Sequence, residues 1–319
     1  MCDSLAINSV EQLDRTGLSA PARVKRQQAG VVYLGPRAEG EVSSRLEIFM
    51  LDIGSFGVAE EKALAATAES SWRSGRDLLQ SEAPDDEVTI AGICLASSDW
   101  HVAAKFDGRD GKPTAPVEGG AKRQVIGGTA KVYPRTDPVA IGLIESPDGL
   151  RCLLGRGHRY PPGMYTCLSG FVDQCEGVEE AFRREAFEEA GVQLGPEISI
   201  AATQPWPIGR AGSCELMIGC RGRAMSDVLR VNKAELEDAQ WFTRLEVNQM
   251  LQRRHPKGLF VPPQYAIANQ LIVEFATARP GRGRVGAEVF TKLGGAPLAI
   301  GLAIGLLSGL ALARLKARL

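Results

Sequence analysis

The 319-residue sequence lacks paired cysteines, a strong charge of either sign and an apolar N-terminal leader. Its seven cysteines form no C-x-x-C pair, which argues against a zinc or dithiol site and is typical of reduced thiols. The formal net charge of −1 excludes a polyelectrolyte surface for nucleic acid, so an RNA substrate would need a local binding site. Acidic residues near the start and the missing apolar core argue against a secretory signal peptide.

The overall composition is that of a globular protein, with 44% hydrophobic and 24% charged residues. A chain of this length suits two domains, each able to bury a core. Short apolar runs at 31–34, 45–54 and 88–96 predict strands, and residues 58–80 predict a helix. A second strand-rich stretch begins at residue 131 and leads into the part of the sequence that carries chemistry.

The longest apolar run, residues 293–313, contains no charged residue and is flanked by Lys292 and Arg314. As a helix it would extend about 31 Å, enough to cross a bilayer core of about 30 Å. We predict a transmembrane tail anchor that leaves the protein facing the cytosol on a mitochondrial, peroxisomal or endoplasmic reticulum surface, and a cytoplasmic protein otherwise. The alternative is an apolar helix that docks on the protein body or on a second copy.

The residues between Val178 and Ala190 predict a helix. Glu179 and Glu180 favour the positive N-terminal end of such a helix, and Gly191 stands where a left-handed C-cap residue belongs.

Three carboxylates project from one face of this helix, because Glu185, Glu188 and Glu189 stand at positions i, i+3 and i+4. Like charges placed this way are unfavourable unless a cation neutralises them. Mg²⁺ suits carboxylate oxygens combined with substrate phosphates. Arg184 can orient one of the carboxylates, or Glu176 from the preceding loop, by a bidentate contact.

The spacing of Gly170, Glu176 and residues 184–192 resembles the complete Nudix box, a 23-residue pattern. The similarity extends to the NADH pyrophosphatase branch of that family through further segments, which are 133–144, 159–176, 203–209, 235–242 and 261–272. The resemblance implies an α/β (α+β) protein: a Nudix α/β/α sandwich with a mixed sheet, preceded by a smaller α+β N-terminal domain. We expect the single C-terminal hydrophobic helix to follow it.

Five segments follow from this reading. They are an N-terminal α+β domain (1–97), a degenerate zinc-ribbon-like connector without cysteines (98–130), the Nudix hydrolase domain (131–276), a basic Gly/Pro linker (277–292) and the tail anchor (293–313). In the connector, Asp107, Asp110, Val125 and Gly128 stand where the branch usually has four cysteines. Four thiolates hold a structural zinc ion. We therefore expect no zinc, and a ribbon that either persists as a metal-free hairpin pair or is loosely ordered.

The resemblance implies metal-dependent hydrolysis of the diphosphate linkage of NADH or NAD⁺ to nicotinamide mononucleotide and AMP. NAD-capped RNA is a further candidate substrate, and homodimers are usual in the branch. The implied ligands of Mg²⁺ or Mn²⁺ are Glu185, Glu188, Glu189 and Glu235, and the catalytic set is Glu185, Glu188, Glu189 and Arg184. Which glutamate is the general base stays open.

The implied substrate-binding residues are Phe171, Tyr133, Gln204 and Trp206. Phe171 stands at the position that stacks on nicotinamide in this branch. Gln204 and Trp206 belong to the substrate signature at 204–207. The loop at 204–217 is longer than usual in the branch and lacks an aromatic residue and a second proline. Two alternatives therefore stay open: hydrolysis of another nucleoside diphosphate derivative, such as ADP-ribose or a CoA ester, and a non-catalytic membrane-bound nucleotide sensor.

Overall fold

The computed structural model describes residues 31–38, 45–51, 77–78, 85–209 and 213–278. Strands β1 (Val31–Ala38) and β2 (Arg45–Leu51) form an antiparallel pair, which confirms the two strands predicted first in the sequence. The predicted helix at 58–80 lies outside the described residues apart from residues 77–78.

Helix α1 (Asp85–Ala103) occupies the segment where we predicted a strand, so the prediction for 88–96 was wrong. Ala91, Leu95 and Ser98 are buried, and their spacing of four and three residues is that of one helix face. These buried contacts outweigh the strand propensity of β-branched residues at 88–90. The helix continues through residue 97, where we divided the N-terminal domain from the connector.

The connector and the first two residues of the predicted Nudix segment form a three-stranded antiparallel sheet in the order β3-β4-β5. Its strands are β3 (Thr114–Val117), β4 (Lys122–Val125) and β5 (Lys131–Val132), and a single 3₁₀ turn joins the first two. An ordered hairpin pair is one of the two forms that we predicted for this segment.

A six-stranded sheet forms the centre of the remaining described residues. Its strands are β6 (Thr136–Glu145), β7 (Arg151–Gly157), β8 (Leu168–Phe171), β9 (Leu194–Trp206), β10 (Cys214–Ala224) and β11 (Leu236–Thr243). The order is β11-β7-β6-β10-β9, with β8 also paired to β6. Strands β6 and β10 are parallel, and the other pairs are antiparallel. The predicted mixed sheet is confirmed.

Helices cover both faces of this sheet. Helix α2 (Val178–Ala190) packs on one face through Phe182 and its neighbours. Helices α3 (Arg244–Leu251) and α4 (Ile267–Thr277) pack on the other face around Met250 and Leu271. The predicted α/β/α sandwich is therefore confirmed, and it places the acidic helix against strands β6 and β8.

Within the part of the chain that the structure describes, none of the helices combines the length and apolar character needed to span a membrane. The predicted tail anchor at 293–313 lies outside the described residues, as does the predicted linker except for residues 277–278.

Candidate active site

Helix α2 has the limits that the sequence predicts. At its start, Glu180 Oε2 accepts a hydrogen bond of 2.8 Å from the backbone N–H of Gly177. At its end, Gly191 adopts the left-handed conformation with φ of 70°. Both ends depend on residues within one turn of the helix, which is why local sequence signals were sufficient to place them.

Glu185, Glu189 and Glu235 bring their carboxylates together. One oxygen from each side chain lies within 4.8 Å of the others. Glu185 and Glu189 come from successive turns of α2, whereas Glu235 directly precedes β11. The structure thus unites three of the four predicted metal ligands across 50 residues of sequence.

Glu189 is the buried member of this carboxylate group, with 8% of its surface exposed. Burial, reinforced by the charges of Glu185 and Glu235, raises the pKa of Glu189 to about 8. Its Oε2 is buried and has no hydrogen-bond partner among the described residues. A hard divalent cation suits this set of oxygens, because it would neutralise the crowded charges and ligate the unpartnered oxygen.

Arg184 connects the carboxylates of the helix to the preceding loop. Its Nε and Nη2 donate to the two oxygens of Glu176 at 2.9 and 3.0 Å. Nη1 donates to Glu185 at 2.7 Å, and Nη2 also donates to the carbonyl of Phe171 at 2.8 Å. This bidentate contact raises the pKa of Arg184 and lowers that of Glu176. The predicted pairing of Arg184 with Glu176 is therefore confirmed.

Glu188 lies apart from the carboxylate group in this structure. Its side chain is 49% exposed, and its Oε2 lies 3.2 Å from Nη1 of Arg184. A role of Glu188 as a metal ligand stays a prediction.

Asn232, which the sequence analysis did not single out, positions Glu235. Its backbone N–H donates to the carbonyl of Glu189 at 2.9 Å, and its side-chain Nδ2 donates to Oε1 of Glu235 at 3.1 Å. Asn232 Oδ1 also accepts from the N–H of Ala234 in an Asx turn. The sequence signal that could have revealed this role was an asparagine three residues before the predicted ligand, because asparagine favours such turns.

The predicted substrate-binding residues occupy different parts of the structure. Phe171 ends β8 beside Arg184 and is 38% exposed. Trp206 ends β9 opposite Glu215 of β10 and is half-buried. Tyr133 directly follows β5 and is 57% exposed, with Nζ of Lys122 5.5 Å from its ring centre.

Gln204 binds main-chain groups with both ends of its amide. Nε2 donates to the carbonyl of Tyr265 at 2.6 Å, and Oε1 accepts from the N–H of Ile267 at 2.8 Å. The side chain of Ala266, the N-cap residue of α4, makes no capping hydrogen bond. Gln204 Oε1 therefore caps α4 from strand β9, and Nε2 fixes the residue that precedes the N-cap.

Comparison with known proteins gives relatives over most of the described residues. The NUDIX domain family matches residues 135–262. "NAD-capped RNA hydrolase NUDT12" of Homo sapiens is 44% identical over 189 residues, 57% of this chain and 40% of that protein. "Nudix hydrolase 19, chloroplastic" of Arabidopsis thaliana is 36% identical over 242 residues, 73% of this chain and 53% of that protein. "NAD(P)H pyrophosphatase NUDT13, mitochondrial" of Mus musculus is 32% identical over 248 residues, 72% of this chain and 68% of that protein. The chain thus spans about half the length of the first two relatives.

Proposed function

Because this chain belongs to the Nudix family and is similar to its NADH pyrophosphatases, we propose that it hydrolyses the diphosphate linkage of NADH or NAD⁺. Water adds across one P–O bond of the linkage, and the products are nicotinamide mononucleotide and AMP. The names of these relatives, which refer to NAD(P)H pyrophosphatase and NAD-capped RNA hydrolase activities, support this substrate class.

The observation that carries the proposal is the carboxylate group of Glu185, Glu189 and Glu235, with its buried and unpartnered oxygen on Glu189. These three residues, with Glu188 as a fourth candidate, would hold Mg²⁺ or Mn²⁺. When bound, the ion supplies charge neutralisation and Lewis-acid polarisation of the diphosphate.

The protein's own residues supply positioning. Arg184 holds Glu185 and Glu176 in fixed relation, so the carboxylates are oriented before substrate arrives. Phe171, whose main-chain carbonyl binds this arginine, has a partly exposed ring, and such a ring can stack on a nicotinamide or adenine base. Hydrolysis of a diphosphate depends mainly on positioning and charge neutralisation, and both are provided by this arrangement.

The test is product analysis with the full chain, Mg²⁺ or Mn²⁺, and separate reactions with NADH, NAD⁺, ADP-ribose, diadenosine polyphosphates and CoA. We expect nicotinamide mononucleotide and AMP from NADH or NAD⁺, formed faster than any product from the other compounds. Faster cleavage of ADP-ribose or CoA would indicate that the altered 204–217 loop selects a different substrate. Metal binding without any cleavage would support the nucleotide-sensor alternative.

NAD-capped RNA is the second substrate that we propose, because relatives named for its hydrolysis match this chain at 44% identity. Its cap contains the same diphosphate, so the same carboxylates would act on it. Release of nicotinamide mononucleotide from a capped RNA, leaving a 5′-monophosphate end, would support this activity. A capped RNA that stays intact while NADH is consumed would restrict the enzyme to free dinucleotides.

We further propose that residues 293–313 anchor the protein on a cytosol-facing membrane. The support is the uncharged length of this segment. Flotation with liposomes should carry the full chain to the lipid fraction, and Leu306→Arg should reduce the floating fraction because a charge in the bilayer core is costly. Full-length protein that stays in the soluble fraction would contradict the proposal.

A homodimer is also proposed, on the family resemblance. Light scattering of the detergent-solubilised chain should give twice the 34.2 kDa mass of one copy. A single-copy mass at the concentrations used for assays would contradict it.

A further inference from the structure

The three-stranded sheet β3-β4-β5 has one face that carries an exposed aromatic ring and two lysines. Arg123 pairs with Val132; Lys122 directly precedes the first and Tyr133 directly follows the second, with Lys122 Nζ near the Tyr133 ring. Gln124 pairs with Lys131. Because side chains alternate between the faces of a strand, these residues point to the same side. We call Lys122, Gln124, Lys131 and Tyr133 the ribbon face.

The opposite side of the sheet is turned inward. Arg123, Val125 and Thr114 are buried there, and the Arg123 guanidinium donates to Thr114 Oγ1 at 2.8 Å. The ribbon face is therefore the side of this sheet that a ligand can reach. Tyr133 presents 57% of its surface, although large aromatic side chains usually bury most of theirs.

The ribbon face combines a stacking surface with positive charge. Lys122 Nζ lies 5.5 Å from the centre of the Tyr133 ring. The Glu118 carboxylate pairs with Lys122 at 2.7 Å and also with Lys131. One carboxylate between two ammonium groups leaves a net positive charge. Each ammonium has three donors, so donors beyond those used on Glu118 are available to phosphate oxygens.

A short stretch of chain joins the ribbon face to the part of the central sheet that lies next to Phe171 and Arg184. Four residues lie between Tyr133 and Pro138, so the two are at most about 18 Å apart along the chain. The carbonyl of Pro138 accepts a 3.0 Å hydrogen bond from the N–H of Val172. Val172 directly follows Phe171, whose carbonyl binds Arg184.

We propose that the ribbon face binds the RNA chain that follows the 5′ NAD cap, with Tyr133 stacking on a base and Lys122 and Lys131 contacting phosphates. This combination of an exposed ring and basic groups is the usual means of binding single-stranded nucleic acid without sequence preference. The inference rests on the proposed activity toward NAD-capped RNA. It supplies the local site that a chain of nearly zero net charge needs in order to hold RNA.

The test compares RNA binding with hydrolysis of free NADH in the full chain. Lys122→Gln and Lys131→Gln together should weaken binding of a 5′-monophosphate RNA about tenfold, measured by fluorescence anisotropy, and leave kcat/KM for NADH unchanged. Each removed lysine should also reduce the slope of log affinity against log salt by about 0.7. Lys257→Gln, an exposed lysine outside the connector, is the matched control.

Glu118→Gln should change RNA affinity in the opposite direction to the loss of the lysines. Removing this carboxylate frees both lysines, so RNA affinity should increase while kcat/KM for NADH stays unchanged, which shows that the variant is folded. Equal RNA affinity in the double variant and the Lys257→Gln control would overturn the proposal. Absence of NADH hydrolysis by the unmodified chain would instead overturn the proposed function, while RNA binding by the variants would still decide the role of the ribbon face.

Discussion

Gly170 and Glu185 are packed so closely that a Cβ atom on Gly170 would lie 1.9 Å from Cδ of Glu185. Strand β8 therefore passes directly against the carboxylate of a proposed metal ligand. The absence of a side chain at position 170 is what allows Glu185 to join Glu189 and Glu235.

Gly170→Ala should displace Glu185 and lower kcat for NADH by about 100-fold, since a shift of about 1 Å in a positioned group has that order of effect. The circular dichroism spectrum should stay that of the unmodified chain. Gly195→Ala in β9 is the matched control, because its new Cβ would meet an ordinary contact of 3.5 Å. Full activity of the Gly170→Ala enzyme would refute the proposed role of Glu185.

Glu189→Gln should abolish the increase in melting temperature that Mn²⁺ gives the unmodified chain. An amide keeps the size of the side chain but removes the charge that holds the ion, so we expect Mn²⁺ affinity to fall by at least about 100-fold. Calorimetric titration with Mn²⁺ measures this affinity directly.

The matched comparison is Glu188→Gln on the same helix. Glu188 is exposed and pairs with Arg184 outside the carboxylate group, so its loss should weaken Mn²⁺ binding less than the loss of Glu189 does. Equal losses in the two variants would show that Glu188 joins the site when the ion is present.

Asp107→Asn should destabilise the connector in a pH-dependent way. Asp107 is buried and accepts hydrogen bonds from the backbone N–H and Nε of Arg109 at 2.8 and 3.0 Å. These bonds lower its pKa from 3.8 to about 2. A lowered carboxyl pKa stabilises the folded state above pH 3.8, and the benefit is lost as the pH falls toward 2.

Thermal melts across this range should therefore show Asp107→Asn less stable at neutral pH and converging with the unmodified chain in acid. A zinc chelator should leave the melting temperature of the chain unchanged, because no thiolate stands at the four positions where the branch usually has cysteines. Asp107 and Asp110, at two of these positions, form ion pairs with Arg109 and Lys112. A chelator-induced loss of stability would reveal a structural metal in the connector.

Gln204→Leu should lower stability by about 1–3 kcal/mol, because the N–H of Ile267 and the carbonyl of Tyr265 lose their partners. Gln204→Glu keeps the acceptor for Ile267 but turns a carboxylate oxygen toward the carbonyl of Tyr265, so it should also lower stability at neutral pH. Denaturant unfolding measures both. A raised KM for NADH at unchanged stability would support the substrate-binding role predicted from the sequence.

The acidic helix could be predicted because its determinants are local. Charged residues in its first turn and Gly191 at its end lie within the helix or next to it. The pairing of Arg184 with Glu176 was also accessible, since only the loop and the first half of the helix separate them. The strand predicted at 88–96 failed because β-branched propensity is a weaker effect than burial of Ala91 and Leu95 on one helix face.

The sequence by itself determined the family, the limits of α2 and the identity of the acidic residues, because spacing along a helix fixes which side chains share a face. Only the tertiary structure decided which of them meet. Glu235 reaches Glu189 through the contacts of Asn232, and Glu188 is held apart by Arg184. Gln204 is engaged by the backbone of α4. These relations join segments distant in sequence, and their energies depend on burial and on partners that no local pattern contains.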